Sequence, residues 1–289
     1  MSTIDRRRFL ALGASSAAFA LTSTNTQGRQ SNLTARQVIE RIQKTLGVTW
    51  RADTVDTFKA GNPDTAVRGI ATTVMSTMSV LERAAAAGRN LIVTHEPTFY
   101  GHTDETTPLE SDPIYQRKAE LIKKHDLVIW RFHDHWHMRR PEPMTEGFLR
   151  TVGWDKYPAA GRITTIPETT LEAAAKHVQE KFGVKAMRVM GERATKVAKV
   201  AFMPGYGQPQ AMMRTLGDAD LIVCGEQREW EGLYYAHDVV SSGRAKGVIV
   251  LGHAISEEPG MEICAEWLKT FITEVPVELV RAGEPFWRP

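Results

Sequence analysis

Three short apolar runs in this chain break off into histidine and carboxylate. Leu91-Ile92-Val93 leads into Thr94-His95-Glu96-Pro97, and Leu127-Val128-Ile129-Trp130 leads into Phe132-His133-Asp134-His135-Trp136-His137. Val248-Ile249-Val250-Leu251 leads into Gly252-His253-Ala254-Ile255-Ser256-Glu257. Apolar runs of this length without alternation suit strands covered on both faces, as in parallel sheets. Amphipathic stretches at helical spacing separate them, among them Met78 to Ala87, Ile114 to Lys124, Leu171 to Phe182 and Pro209 to Leu216. Strands alternating with helices predict an α/β fold with mainly parallel or mixed sheets. The carboxyl ends of parallel strands gather on one edge, where ligands bind. The three polar endings are therefore expected to meet there.

The remaining elements follow the same rules. Thr34 and Gln37 form a capping box ahead of Val38, Ile39, Ile42 and Leu46. Strands are expected over Val67 to Val74, near Ala186 to Met190, over Val197 to Met203, Leu221 to Val223 and Val277 to Val280. Helices are expected over Trp230 to Val240 and Met261 to Thr273. Thr145 to Pro167 reads as the junction between a first α/β half (29–150) and a second (151–289). The last part of the second, about 247–289, is expected to return to the first cluster.

The residue types specify the chemistry. Imidazole with carboxylate and no thiolate suits Zn, Fe, Mn or Co rather than a structural zinc finger. His133 with His137, and His253 with Glu257, are spaced i to i+4 and share a face if helical. His95 and Glu96 are adjacent, so in extended backbone they point apart. That favours two divalent ions over one. His135 reads as a surface or supporting residue, and His102, His125, His177 and His237 as ordinary histidines. Glu226, ending a fourth strand-like run, reads as a general base or as a partner of a ligand. Pro204-Gly205-Tyr206-Gly207 lacks a full dinucleotide fingerprint and reads as a tight turn.

These segments together resemble the Nif-three-like dinuclear-metal family, the GTP cyclohydrolase I type-two homologues. The likeness runs in order through Val67-Arg68-Gly69-Ile70-Ala71, the segment ending His95-Glu96-Pro97, His133 to His137, Asp220 to Glu226, and Gly252-His253 to Glu257. Glu96 stands where that family has a second His, and His137 where it has Asp; Cys224 replaces a Thr. The exchange preserves a census of four imidazoles and two carboxylates. The resemblance implies two interlinked α/β domains, a metal pair in a cleft and a ring-like homohexamer.

Composition adds exclusions. The net charge is +2, and the first eight residues carry that excess in Arg6, Arg7 and Arg8 against Asp5. The remainder is neutral, which removes the electrostatic case for nucleic acid. Arg6-Arg7 before Phe9-Leu10, an apolar run to Ala20 and the Ala18-Phe19-Ala20 site resemble a twin-arginine signal peptide over 1–20, flexible to about 28. The expectation is export to the periplasm or exterior by the twin-arginine machinery, with no membrane anchor after cleavage. Cys224 and Cys264 are expected to be buried free thiols. The functional expectation is a metal-dependent hydrolase of a small anionic or heterocyclic substrate, with non-catalytic metal handling as the alternative.

Overall fold

A computed structural model describes residues 33–289, so the leader expected over 1–20 lies outside the described residues. The chain begins with α1 (Ala35–Thr45), β1 (Phe58–Ala60), β2 (Ile70–Thr73), α2 (Met78–Ala86) and β3 (Leu91–Thr94). It continues with α3 (Pro113–Lys124), β4 (Val128–Arg131), α4 (Asp134–Met138) and α5 (Pro143–Val152). Then come β5 (Ala159–Ala160), β6 (Ile163–Thr170), α6 (Leu171–Phe182), β7 (Arg188–Met190) and β8 (Lys196–Tyr206). It ends with α7 (Pro209–Asp218), β9 (Leu221–Glu226), α8 (Tyr234–Ser241), β10 (Gly247–Val250), α9 (His253–Lys269) and β11 (Val277–Leu279).

Two mixed sheets result. The first has the order β1-β4-β3-β2-β11, with β4, β3, β2 and β11 parallel and β1 antiparallel at the edge. The second has the order β5-β6-β8-β9-β10-β7, with a parallel centre of β8, β9 and β10 between antiparallel flanks. β2, β3 and β4 are buried at every residue, as the unalternated runs require. Helices cover both faces of each sheet: α1 and α9 oppose α2 and α3 on the first, and α6 opposes α7 and α8 on the second. The chain crosses back at its end, because β11 completes the first sheet beside β2.

Residues 145–167, read as the junction of two halves, hold most of α5, β5 and the start of β6. Two sequence readings change. The last helix starts at His253 instead of Met261, because Glu257-Glu258-Pro259-Gly260 reads as a helix breaker in isolation. Pro259 does remove one backbone hydrogen bond, but α9 is buried from Ser256 through Met261, and tertiary packing overrides propensity. Gly205 lies inside β8 with φ +63°, so the expected tight turn is an irregular strand.

α5 packs directly on α9, and glycine permits it. A Cβ on Gly147 would lie 2.5 Å from the Pro259 carbonyl carbon, and one on Gly260 would lie 2.9 Å from the Met144 Cα. Backbone meets backbone, and no side-chain rotation relieves the clash. Gly147→Val is expected to lower stability by about 2 kcal/mol or more through overpacking, read as a drop in Tm. Gly153→Ala, at a helix end with open space around it, is the contrasting position: strain from φ +68° is its only cost.

Candidate metal centre

β3 and β4 are parallel neighbours with Thr94 opposite Arg131, so the residues that follow each strand emerge side by side. His95 and Glu96 leave β3; His133 leaves β4 and precedes α4. α4 is only five residues long, and a single carboxylate caps it. Asp56 accepts from the backbone N–H groups of His133, Asp134 and His135 at 2.6, 3.0 and 2.9 Å. One turn of helix then brings His137 over His133, with ring centroids 4.8 Å apart. His95 completes a cluster of three imidazoles, 4.6 Å from His133 and 4.8 Å from His137.

The second sheet supplies the opposite wall. His253 is the first residue of α9 and Glu257 lies one turn on, while Glu226 ends β9. His253 Nε2 lies 3.2 Å from Glu96 Oε1 and 3.2 Å from Glu257 Oε2, which closes the site across 157 residues of sequence. Glu257 Oε1 lies 3.8 Å from His95 Nε2, and His133 Nε2 lies 3.7 Å from Glu96 Oε1. Gly205 makes room: a Cβ there would collide with the Glu257 carboxylate.

Every histidine of the cluster has its Nδ1 against an acceptor. His95 Nδ1 is 3.0 Å from the Phe132 carbonyl, which can only accept, so Nδ1 carries the proton and Nε2 is a bare lone pair. His133 Nδ1 donates to Asp134 at 2.9 Å, and His137 Nδ1 to Glu142 at 2.9 Å. His253 Nδ1 lies 3.3 Å from Glu226. His95, His133 and His253 thus turn Nε2 toward the carboxylates of Glu96 and Glu257. Partners of this kind fix ring orientation and raise ligand basicity at metal sites.

Charge follows from burial and neighbours. Burial pushes the pKa of His95 well below the usual histidine range, and His137 and His133 add to it, so His95 is neutral. Burial also opposes protonation of His253, but Glu226, Glu257 and Glu96 outweigh it and raise its pKa to about 12. His137 is raised in the same way, with Glu142 overcoming burial. Glu96 is lowered despite burial, chiefly by His253. Fully buried Arg131 lies 3.2 Å from Glu96 Oε2 and donates to the His95 carbonyl at 3.0 Å, so it neutralises the carboxylate and pins the strand end.

The donor set fits a metal ion. His95, His133 and His137 form one group, and His95, Glu96 and Glu257 another, each with one donor atom per residue, all within 4.8 Å of one another. Among the described residues, His95 Nε2 is buried without any hydrogen-bond partner, and Glu257 Oε2 is buried with only the ion-pair contact to His253. Buried polar atoms are rarely left so, and an ion satisfies both.

A family model described as Duf34/NIF3 (NGG1p interacting factor 3) matches residues 33–283. The chain belongs to the DUF34/NIF3 family. It is 26% identical over 227 residues to a Clostridium perfringens GTP cyclohydrolase 1 type 2 homolog, covering 73% of this chain and 82% of that protein. The fold is that of a Bacillus cereus protein related to NIF3, with TM-score 0.73 at 14% identity over 90% of this chain and 100% of the other. A Staphylococcus aureus hypothetical protein is similar at TM-score 0.72 and 15% identity, with the same coverage.

The six residues singled out as ligands, and Glu226, come together in this member of the family, but the adjacency argument for His95 and Glu96 fails. β3 stops at Thr94 and the backbone bends at both residues, so they share one donor group instead of pointing apart. His135 is not at the surface. It is fully buried, stacked on Trp50 with centroids 3.7 Å apart, and bonded to Asp56 at 2.7 Å. Asp56, Glu142 and Arg131 were missed. Arg131, a charge inside the apolar run Leu127 to Phe132, was the one visible signal; Asp56 gave none. Cys224 and Cys264 are buried and free, as expected.

Metal uptake has to displace protons where the carboxylates raise the imidazoles. Loading the metal-free protein near pH 7 is expected to release protons from the imidazoles that the carboxylates raise, His253 above all, and none from His95. Titration calorimetry in buffers of different ionisation enthalpy reads this directly. Affinity should fall as pH drops below 7, and uptake without proton release would contradict the arrangement.

Proposed function

We propose that this family member is a dinuclear metal-dependent hydrolase acting on a small anionic or heterocyclic substrate. The observation that carries it is the buried, unpartnered Nε2 of His95 beside the buried carboxylate of Glu257, in a cluster of imidazoles whose Nδ1 atoms all face acceptors. His95, Glu96, His133, His137, His253 and Glu257 are the proposed ligands of two divalent ions among Zn, Fe, Mn and Co. Such ions, when bound, would supply a hydroxide near neutral pH and would withdraw electrons from a substrate oxygen.

This chain's own residues do the rest. Asp134, Glu142 and Glu226 hold three of the rings, and Arg131 offsets the charge of Glu96. Glu226 is about half exposed and held low in pKa by His253, so it is ionised and able to take a proton from water. A cavity of about 1060 Å³ reaches His137 and Glu257, bordered by Arg140 and Arg162 and by the apolar surface of Leu149, Phe202 and Met203. Its size and mixed lining suit a small substrate with an anionic group. The name of the Clostridium relatives supports a heterocyclic ring as one candidate class.

The burial of His95 and Glu257 favours a second reading, a metal-handling protein without turnover. Restoring Mn, Fe, Co or Zn to the metal-free protein is expected to give turnover on phosphoesters, cyclic amides or nucleotides, rising with pH. His253→Ala is expected to lose bound metal by elemental analysis. Silence in every substrate class with metal retained would favour the handling reading.

Export through the twin-arginine route and assembly into a homohexamer belong to the same proposal; they rest on Arg6-Arg7-Arg8-Phe9-Leu10 and on family resemblance. Among the described residues no helix is long and apolar enough to cross a membrane. Changing Arg6 and Arg7 together to Lys is expected to trap the precursor in the cytoplasm. Sedimentation of the exported wild-type protein reads the hexamer.

A further inference from the structure

A second cavity, of about 680 Å³, lies on the other side of Tyr206 and has His253 and Glu226 in its wall. Part of that wall is the C-terminal tail: Phe286 and Arg288 line it. The family match stops at residue 283, so the tail is not accounted for by it. The tail is fastened down. Glu284 accepts from the backbone N–H groups of Lys185 and Ala186, one on each carboxylate oxygen and each at 2.7 Å, and Arg288 donates to the Met187 carbonyl at 3.1 Å.

The chemistry of this wall is specific. Arg188 and Arg228 also line the cavity, but each is paired with a carboxylate, Glu229 and Glu231. Arg228 also sits over the Tyr206 ring. Arg288 has a carbonyl partner and, among the described residues, no carboxylate within ion-pair distance. Beside it Phe286 remains 67% exposed although its segment is anchored at both ends. An anchored ring held in water costs apolar hydration, which a planar ligand stacked on it removes. A guanidinium without a counter-charge is the natural partner of an anionic oxygen.

We propose that residues 284–289 complete a subsite for an aromatic or heterocyclic anion beside the metal centre, with Phe286 stacking on its ring and Arg288 pairing with its charge. The proposal rests on the hydrolase reading for the ligand's role, though not for its binding. Arg288 selects the anion, Phe286 selects the ring, and Glu284 holds both in place as a positioning residue.

Phenylphosphonate and methylphosphonate share the anion and differ in the ring, and neither is hydrolysed. Calorimetric titration of the metal-loaded full chain is expected to show tighter binding of phenylphosphonate. Phe286→Ala should weaken phenylphosphonate about tenfold and leave methylphosphonate unchanged, while Arg288→Ala should weaken both about tenfold. Elemental analysis should find the same metal content in all three proteins. Equal affinities across wild type and variants, or no binding of either phosphonate, would overturn the subsite. So would variants that alter only the sedimenting mass, since the tail would then be a contact between copies. Tail-dependent binding without turnover on any substrate would remove the hydrolase reading and leave the subsite standing.

Discussion

Four contacts at Nδ1, three hydrogen bonds and one ion pair, decide what this protein can be. A neutral imidazole has one donor and one acceptor, so a partner that accepts at Nδ1 commits Nε2 to the role of lone pair. Here the Phe132 carbonyl makes that commitment for neutral His95, and three carboxylates hold Nδ1 of His133, His137 and His253, so that Nε2 is the nitrogen left for an ion once any proton on it is displaced. Two of the acceptors have a structural duty as well. Glu142 caps α5 by accepting from Met144 and Thr145, and Asp134 ties α4 to the loop at Thr54 and Val55. The site and the scaffold are therefore held by the same atoms.

The charge balance is local. Outside its first eight residues the chain is neutral, yet Glu96, Glu257, Glu226, Glu142 and Asp134 crowd round the four rings. A buried carboxylate costs several kcal/mol unless paired, and Glu96 finds Arg131 on one oxygen and His253 on the other. That pairing explains how this chain carries Glu where the family resemblance places His. At His137, where it places Asp, the added imidazole is met by Glu142. Each exchange has a neighbouring charge of opposite sign, so the two need not compensate each other directly.

Rigidity reaches the site through α5 and α9. Gly147 and Gly260 bring the two backbones into contact, with Glu142 at the start of one helix and His253 with Glu257 at the start of the other. A shift of either helix moves donors from both halves. The crossing back of β11 fastens the end of the chain to the first sheet and leaves the tail beside the second, next to His253.

Much was legible in the sequence alone. Unalternated apolar runs determined buried parallel strands, helical spacing determined α6 at its observed bounds, and the capping box at Thr34 and Gln37 is formed by both of its bonds. Those signals are local, because periodicity and capping act within a few residues. Strand endings in His and Glu pointed to the centre for the same reason. Tertiary structure alone decided the rest. The start of α9 at His253 depends on burial that overrides the Glu257-Glu258-Pro259-Gly260 signal. The bend that turns Glu96 toward His95 depends on Arg131, and His135 is buried because Trp50 and Asp56 arrive from far along the chain. Asp56, Arg131 and Gly205 acquire their roles from neighbours that only the folded chain brings within a few ångströms, and no spacing rule reaches that far.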